Sequence, residues 1–572
     1  MTLESRRSRL SRFDALALAA VLVVAALLRL PGLAQRGTFD SDQGHDMLTL
    51  AALTRQGEVP LLGPKTSVGE FHHGAFYYFL LAPAAAVSDD DPVVVMGWLA
   101  LMGIAAVALT WWLARSMAGR LAGALAALIL ALSPAAIDES TFIWNPNPIP
   151  FFAALALAAA WRGRETGHAR WWALALGAAG AVVQLHVLGL VFFIAIFVLA
   201  LLELRRDRRA WRGIVGGLVI VAVLFTPLAI HELTSGFLET RLVLDYLANG
   251  GTETRDPAFS ILLTLLRIVG WPIVGLVTDV PIAAGLVLTA FLGLVAWYDL
   301  VARGPARLAL WWLMGVLAWS TVALALTAPG LQTVVAGLPN DHYHASLDPV
   351  VATLFGISIA ALLERALGRW RTGRAPSGAA ADGAAAAADG AAPAPADATG
   401  EWPRGPGPSS RLDPAVLRGF VAGALGSVVL IAILGAELIR MPAPDPNGGW
   451  AAAQAAGSRA VASLHGAPVA IVSLPSFKSA DGIAFPILEA VRRLPLGSAS
   501  TSTGIVIVCD RLRESQIGAK CGGPAEDRFM FGEGAAVPDP YTGITPSTHS
   551  LLDRFDASPR TAISVYLPVV TP

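Results

Sequence analysis

Long apolar stretches separated by short polar segments occupy most of the chain as far as residue 438. Many of these stretches approach the length of roughly 20 residues that a helix needs to cross a hydrocarbon core. The pattern therefore predicts an α-helical polytopic membrane protein with about eleven transmembrane helices. The predicted spans lie near residues 13–30, 95–113, 121–135, 149–161, 171–186, 188–203, 213–230, 281–299, 308–327, 346–363 and 414–438.

Two apolar stretches fit this series less well. Residues 73–87 are followed by three aspartates, and counting them as a crossing would put the next basic loop on the wrong side. They are predicted to form a helix that lies in the membrane interface. Residues 260–280 are interrupted by Arg267 and by Trp271-Pro272. This stretch either lies along the surface or folds as a hairpin, and the hairpin would raise the number of spans to about thirteen.

The pattern changes twice towards the C-terminus. Residues 375–412 are rich in Ala, Gly and Pro, which bury too little apolar surface to become ordered, so they are predicted to form a disordered cytoplasmic linker. Further on, β-branched runs at 468–472 and 504–508 flank a helical segment at 484–493, which predicts a small α/β domain. The predicted organisation is a transmembrane module at 1–374, the linker at 375–412, a last transmembrane helix at 413–440 and the α/β domain at 441–572.

Composition agrees with this class of protein. The 572 residues are 55% hydrophobic and 15% charged, and the mean hydropathy is +0.60. A soluble fold could not hide so much apolar surface, so the lipid bilayer is the expected solvent. The formal net charge is only −1. The basic residues are concentrated in short loops, and this distribution indicates the topology of the chain in the membrane. No nucleic-acid partner is predicted.

These short basic loops assign the two sides of the membrane. By the positive-inside rule they are cytoplasmic, and so is the arginine-rich N-terminus. Alternation then exports the C-terminal domain across a bacterial-type plasma membrane. A cleavable signal peptide is the alternative for the first span, but Arg29-Leu30-Pro31-Gly32 follows it without a small-residue cleavage pattern. The basic loops are 115–120, 162–170, 204–212, 303–307 and 365–374.

The only two cysteines, Cys509 and Cys521, both lie in the domain that this topology exports. An oxidising compartment favours disulfides, so the pair is predicted to form one across a short loop. Two unpaired thiols are the alternative.

An acidic cluster at 38–46 follows the first span directly, on the side that the topology places outside. Within it, Asp42 precedes a helical pattern of apolar residues that is suited to lie on the membrane. A carboxylate held at the edge of the lipid is well placed to act as a general base. The alternative is that Asp42 only caps the following helix, since aspartate is a favoured N-cap residue.

Several other polar side chains of the expected outer segments are candidate substrate ligands. Protonated histidines and lysines can meet a phosphate, although His72 and His73 could instead pair with Glu70. Arg55 is a second first-loop cation, and further candidates in the later outer segment are Arg241, Arg255 and Arg267. The predicted substrate-binding residues are Asp40, Asp46, Lys65, His72, His73, Tyr77, Asn145, His342 and His344.

The order of several short motifs resembles the integral-membrane glycosyltransferases of the GT-C superfamily, in particular the bacterial relatives of protein O-mannosyltransferases and aminoarabinose transferases. The resemblance covers roughly residues 28–356 and depends on the order and the membrane side of motifs that are individually weak. The motifs are Arg29-Leu30-Pro31, Asp42-Gln43, Gly57-Glu58-Val59-Pro60, the aromatic stretch 73–83, Ser133-Pro134, the segment 142–147, and His342-Tyr343-His344 before Asp348-Pro349.

This resemblance implies transfer of a sugar from a polyprenyl-phosphate donor to an extracytoplasmic glycan, lipid or protein by an inverting displacement. The first-loop catalytic aspartate of the family corresponds to Asp42. Gln43 stands where the family usually has glutamate, which leaves Asp40 or Asp46 as a second carboxylate.

The resemblance also bears on metal binding and on the rival function. Asp138 and Glu139 resemble an acidic pair that holds a divalent metal in related oligosaccharyltransferases; solvated loop acids are the alternative. The alternative function is a transporter or flippase of lipid-linked sugars. Such proteins tend to show related halves and mid-membrane charges, whereas here no repeat is visible and the acids gather in outer loops.

Overall fold

The computed structural model describes residues 11–66, 70–249, 257–327, 341–373, 414–464, 467, 469–476, 478–491, 504–532 and 549–569. The predicted linker at 375–412 lies outside these residues. The described part is mostly helical, and the helices up to residue 249 alternate with short turns. These helices are α1 (Arg12–Arg29), α2 (Leu33–Arg36), α3 (Ser41–Ala51), α4 (Phe76–Ser88), α5 (Pro92–Ala118), α6 (Arg120–Leu132), α7 (Pro134–Asp138), α8 (Ile149–Thr166), α9 (Ala169–Leu185), α10 (Gly189–Arg206), α11 (Ala210–Leu224), α12 (Thr226–Ser235) and α13 (Leu238–Asn249).

The later helices complete the bundle, and a short 3₁₀ helix, Asp341–Leu347, leads into the most buried of them. Two short strands, β1 (Leu62–Lys65) and β2 (His72–Gly74), form an antiparallel hairpin between α3 and α4. The later helices are α14 (Pro257–Val274), α15 (Pro281–Val301), α16 (Pro305–Thr327), α17 (Asp348–Gly373) and α18 (Pro414–Ile439).

Among the described residues, six helices are long and apolar enough to cross a membrane, or seven if the bent pair α11 and α12 forms one span. Large apolar side chains point outwards from them: Phe420 is 73% exposed and Ile282 is 80% exposed. Such exposure suits helices solvated by lipid. The protein is therefore a multi-pass membrane protein, while the number of eleven spans stays a prediction.

The two unusual apolar stretches take definite forms. Helix α4 has 13 residues, which span about 20 Å at 1.5 Å per residue. That length is short of a hydrocarbon core of about 30 Å, as expected for a helix in the interface. Helix α14 continues through Pro272 without a break. The stretch from 260 therefore forms one helix followed by a turn, and the hairpin alternative is not what is observed.

The ends of the bundle differ in character. Asp14 at the start of α1 forms ion pairs with Arg115 and Arg120, at the adjoining ends of α5 and α6. Arg164 and Glu203 pair similarly at the ends of α8 and α10. We call this arginine-rich end the basic face. The opposite end, which carries α3 and the C-terminal domain, is called the domain face.

Arg29 fixes the end of the first span on the domain face. Its buried guanidinium donates hydrogen bonds to the carbonyl oxygens of Ala131 and Leu130, at 2.8 and 3.1 Å. These carbonyls belong to the last turn of α6, where the helix itself supplies no donor. The arginine of the Arg-Leu-Pro motif therefore ties α1 to α6, and Gly32, with φ of +71°, turns the chain towards α3.

The C-terminal segment forms a four-stranded mixed sheet with helices packed against it. The strand order is β3-β4-β6-β5; β3 and β4 are parallel and the other pairs are antiparallel. Cys509 and Cys521 are joined in a disulfide. The elements are α19 (Gly449–Leu464), β3 (Val469–Leu474), α20 (Asp481–Val491), β4 (Gly504–Asp510), α21 (Glu514–Ile517), α22 (Pro524–Phe531), β5 (His549–Asp556) and β6 (Thr561–Pro568).

Candidate active site

The acidic cluster forms the start of α3, and Asp40 caps it. The Asp40 carboxylate accepts a hydrogen bond from the backbone N–H of Asp42 at 3.1 Å, and the Asp40 N–H donates to the side-chain oxygen of Gln43 at 3.0 Å. This reciprocal pair is a capping box. The alternative that Asp42 serves only as the helix cap is therefore wrong, and Gln43 closes the cap in place of a glutamate.

Asp42 lies in the first turn of α3 and is exposed. Within the described part of the chain, its carboxylate takes part in no hydrogen bond or ion pair. A carboxylate near a helix N-terminus is stabilised by the helix dipole. Asp42 is thus held at a fixed place while its oxygens stay open to a ligand.

Asp46 lies one turn further along α3, on the same side as Asp42, and is buried. The Tyr78 hydroxyl donates a hydrogen bond to it at 2.9 Å. Burial raises the pKa of Asp46 to about 7. Tyr77 is fully buried beside Tyr78, with ring centroids 5.4 Å apart. This carboxyl of raised pKa therefore lies beneath the surface, next to α4.

Replacing Asp46 with asparagine is expected to change how stability depends on pH. A carboxyl whose folded-state pKa is raised binds its proton more tightly in the folded state, so the wild type loses stability as pH rises from about 4 to about 7. The loss amounts to at most about 4 kcal/mol. Asp46→Asn keeps an acceptor for Tyr78 and removes the ionisation. Thermal unfolding in detergent should show the variant more stable than the wild type at pH 8 and similar at pH 4, and equal midpoints at pH 8 would contradict this account.

The C-terminal domain packs directly on α3. The Ser41 hydroxyl donates to the carbonyl oxygen of Ser479 at 2.6 Å, and His45 Nδ1 lies 3.1 Å from the Asp481 carboxylate. This hydrogen bond raises the pKa of His45. A Cβ at Gly44 would lie 2.2 Å from the carbonyl of Asp481, and one at Gly482 would lie 2.7 Å from Asp40. The two glycines let α3 and α20 cross in backbone contact.

A cleft opens beside this crossing, between the start of α3 and the C-terminal sheet, and we call it the domain cleft. Its space, including the open mouth, is about 730 Å³. Arg560 crosses it, with its guanidinium 3.2 to 3.3 Å from the oxygens of Asp510 and 3.9 Å from Asp40. The charged and hydroxyl-bearing residues that line it include Thr38, Asp40, Ser41, Asp445, Lys478, Asp510, Ser558 and Arg560.

The two first-loop cations that were expected to meet a phosphate, Lys65 and Arg55, both have carboxylate partners. Lys65 pairs with Glu70, and both side chains are more than half exposed. Arg55 lies 2.6 Å from Asp90, which is only 1% exposed, and 2.7 Å from Glu489 of the C-terminal domain. Arg55 therefore links the transmembrane module to the C-terminal domain, and a phosphate would have to compete with these carboxylates at either cation.

Substitution of these cations should separate their roles. Arg55→Met leaves the buried Asp90 carboxylate without its charged partner, which typically costs about 3–5 kcal/mol. Lys65→Met breaks an exposed pair, which contributes about 0–1 kcal/mol. The Arg55 variant should therefore unfold at a clearly lower temperature than the wild type and the Lys65 variant close to it. Equal changes in unfolding temperature in the two variants would contradict the assignment of Arg55 to a buried ion pair and of Lys65 to an exposed one.

The histidines of the first outer segment differ in environment. His72 pairs with Glu239 of α13, through its backbone N–H at 2.7 Å and its ring at 3.1 Å, so the alternative of a pairing with Glu70 is not what is observed. His73 is buried against His186, with ring centroids 4.7 Å apart. Burial lowers the pKa of His73 to about 4. His73 is consequently neutral at pH 7 and cannot meet a phosphate as a cation.

A layer of polar and aromatic side chains continues from His73 across the domain face. His186 contacts the ring of Tyr343 at 5.2 Å, and Trp271 of α14 lies edge-on to His344 at 6.4 Å. Arg267, also on α14, and His344 are almost completely buried. The backbone of His342 lies in the same 3₁₀ helix, but its side chain is outside the described part of the structure. A buried arginine in an apolar helix is a candidate functional residue.

Other predicted ligands have local structural contacts. The Asn145 amide donates to the carbonyl oxygen of Leu185 at 2.6 Å, at the end of α9.

Burial raises the pKa of Asp138 to about 6, although nearby Arg36 acts in the opposite direction. Glu139 is buried next to it. Over the described ranges, no group of three or more His, Cys, Asp or Glu is arranged to hold a metal ion. Metal binding by Asp138 and Glu139 has no further support.

Residues 72–231 match the family model for dolichyl-phosphate-mannose-protein mannosyltransferase. The fold is similar to that of ArnT from Cupriavidus metallidurans bound to undecaprenyl phosphate, with a TM-score of 0.51 and 12% identity over 97% of this chain and 98% of that one. No curated protein matches the sequence significantly.

Two further solved structures show weaker similarity. The oligosaccharyltransferase AglB from Archaeoglobus fulgidus, in complex with an inhibitory peptide and a dolichol-phosphate, has a TM-score of 0.43 and 14% identity over 88% of this chain and 70% of that one. The arabinosyltransferase EmbB from Mycobacterium smegmatis has a TM-score of 0.38 and 15% identity over 78% and 42% of the two chains.

The protein thus has the fold of the GT-C superfamily of integral-membrane glycosyltransferases, and the resemblance stated from its motifs is confirmed. Within that superfamily, the sequence match is to the dolichyl-phosphate-mannose-protein mannosyltransferase model, and the ArnT match extends over nearly the whole chain at the level of fold.

The sequence indicated that the C-terminal domain helps to bind the acceptor or to position partners, but it did not identify which residues of this domain reach the site. Lys478, Asp481 and Arg560 reach the start of α3 from more than 400 residues further along the chain. Lys478 and Asp481 follow β3, and Arg560 lies in the turn between β5 and β6. Charged residues beside strand ends are the one signal that could have suggested them, and that signal does not say which surface they face.

Proposed function

We propose that this protein transfers a sugar from a polyprenyl-phosphate donor to a hydroxyl-bearing acceptor at the domain face, with Asp42 as the general base. The observation that carries the proposal is the exposed Asp42 carboxylate, fixed by the Asp40 cap at the start of α3, in a chain with the fold of GT-C glycosyltransferases. The ArnT structure of similar fold holds undecaprenyl phosphate, which supports a donor of this lipid class.

The chemistry is a single inverting displacement. The acceptor oxygen attacks the anomeric carbon, and the bond from that carbon to the phosphate oxygen breaks. The bonding electron pair leaves with the polyprenyl phosphate, and the proton of the acceptor hydroxyl passes to Asp42. Such a reaction needs a base for the acceptor and positive charge near the leaving phosphate.

Arg267 is the candidate for that positive charge. It is only 1% exposed on the apolar helix α14, close to Trp271 and to the 3₁₀ helix that carries Tyr343. A buried guanidinium strengthens an interaction with phosphate, because little water competes for it. The lipid tail would then lie between the spans, in reach of the bilayer.

Asp46 has a positioning role beneath the base. Its carboxyl is held by Tyr78 on α4, so α3 is fixed to the interfacial helix directly below Asp42. When Asp46 is protonated, it adds no second negative charge beside Asp42.

The test is transfer by the purified protein in proteoliposomes, with radiolabelled polyprenyl-phosphate sugars and an extract of envelope glycans, lipids and proteins. The proposal predicts a labelled glycosidic product together with sugar-free polyprenyl phosphate. Movement of the intact lipid-linked sugar across the bilayer, without any glycosidic product, would contradict it and favour a flippase.

A further inference from the structure

The domain cleft lies at the carboxyl ends of two parallel strands. Ser473 is near the end of β3 and Asp510 is the last residue of β4, and the turn that holds Arg560 closes one side. The opposite wall is the start of α3. Parallel strands in α/β sheets commonly bind ligands just beyond their carboxyl ends. Position alone therefore makes the cleft a candidate binding site, and none of the residues predicted from the sequence except Asp40 lines it.

The lining of the cleft indicates the class of ligand. Three carboxylates, those of Asp40, Asp445 and Asp510, face two cations, Lys478 and Arg560. The charges sum to −1, and Arg560 already pairs with Asp510, so a phosphate or another anion would be disfavoured. Hydroxyl-bearing residues also line the cleft. Such a surface offers donors and acceptors to a ligand that is itself rich in hydroxyl groups.

Part of the lining of the cleft is apolar. Phe39 and Ile483 line it, and Phe39 stacks at a tilt on Trp450 with ring centroids 4.8 Å apart. Binding sites for small ligands typically combine an apolar surface with a few placed polar groups. A sugar ring has both kinds of surface, because its C–H face is apolar and its edge carries hydroxyl groups.

We infer that the domain cleft binds a neutral saccharide portion of the acceptor and presents one of its hydroxyl groups to Asp42. This inference rests on the proposed function and names its acceptor class. The path between the two is short: Asp40 lines the cleft, and its carboxylate is hydrogen-bonded to the backbone of Asp42 at 3.1 Å. A saccharide seated over Asp40 would therefore lie next to the backbone of the catalytic base.

The test measures binding without the donor, so that it does not depend on catalysis. The full-length protein in nanodiscs is titrated with fluorescently labelled neutral oligosaccharides, an oligosaccharide of uronic acids and a peptide rich in serine and threonine. Two variants alter the cleft in different ways. Lys478→Met removes a polar group, and Ala557→Trp fills the space without removing one, since Ala557 lines the cleft. Lys520→Met, an exposed position of the same domain outside the cleft, is the matched control.

Neutral oligosaccharides should bind the wild type and the Lys520 variant with equal affinity. Their affinity for either cleft variant should be lower by about tenfold or more, as expected for loss of a hydrogen bond to a charged group. Tighter binding of the uronic acid oligosaccharide or of the peptide, or equal binding by all variants, would overturn the inference. Asp42→Asn should keep saccharide binding. Binding of saccharide by a protein that never transfers sugar would contradict the proposed function while leaving the cleft assignment intact.

Discussion

Asp42→Asn is expected to lower sugar transfer by roughly a hundredfold to ten-thousandfold, the usual contribution of a positioned general base. Asparagine has almost the same shape and cannot accept the proton. Asp42 is exposed, and its side chain has no partner among the described residues, so the variant should fold and bind donor normally. The measurement is the initial rate of glycosidic product formation in proteoliposomes at saturating donor.

Glu58→Gln is the matched control for this substitution. Glu58 is another exposed carboxylate of the same outer segment, and it lies beyond α3 and away from the domain cleft. Its amide variant should transfer at the wild-type rate. Undiminished transfer by the Asp42 variant, or equal losses in both variants, would remove Asp42 from the role of base.

Gly44→Ala is expected to separate the C-terminal domain from α3. The new methyl group would lie 2.2 Å from backbone atoms of Asp481, and backbone cannot move aside as a flexible side chain can. Overpacking of this kind typically costs about 1–3 kcal/mol. The displaced domain would also carry Lys478 and Arg560 away from Asp40, so transfer should fall although no catalytic group has changed.

Limited proteolysis and the transfer rate together check this prediction. The variant should be cleaved faster between the last span and the C-terminal sheet, and its transfer should fall with the loss of docking. Gly285→Ala is the control, because a Cβ at Gly285 meets nothing within 4 Å. Wild-type protection and rate in the Gly44 variant would show that the close crossing of α3 and α20 is not required.

The membrane-embedded part of the fold could be predicted from the sequence because its signal is local. A run of apolar residues reports a helix in lipid whatever its neighbours are, and the strands at 468–472 and 504–508 correspond to β3 and β4. Residues 260–280 gave no such clear signal, and the sequence left a surface helix or a hairpin open. The structure has one helix there, α14, which continues through Pro272 and ends at Val274.

The site was predicted only in part, because its arrangement depends on contacts between distant segments. The cluster at 38–46 indicated a helix, but the burial of Asp46 depends on which side of that helix meets Tyr78. The partner of His72 could not be predicted for the same reason: Glu239 is far along the chain, whereas the alternative that the sequence offered, Glu70, is near. Nothing in the sequence around Gly44 indicates that α20 crosses α3 there.

The account depends on a lipid-borne sugar reaching the carboxylate at position 42 on the domain face. The most direct measurement is a cryo-electron microscopy map of the Asp42→Asn protein in nanodiscs with its polyprenyl-phosphate sugar, since the variant should bind donor without consuming it. The account predicts density for the sugar between position 42 and α14, with the phosphate near Arg267 and the lipid between the spans. A donor headgroup at the basic face, or out of reach of position 42, would contradict it.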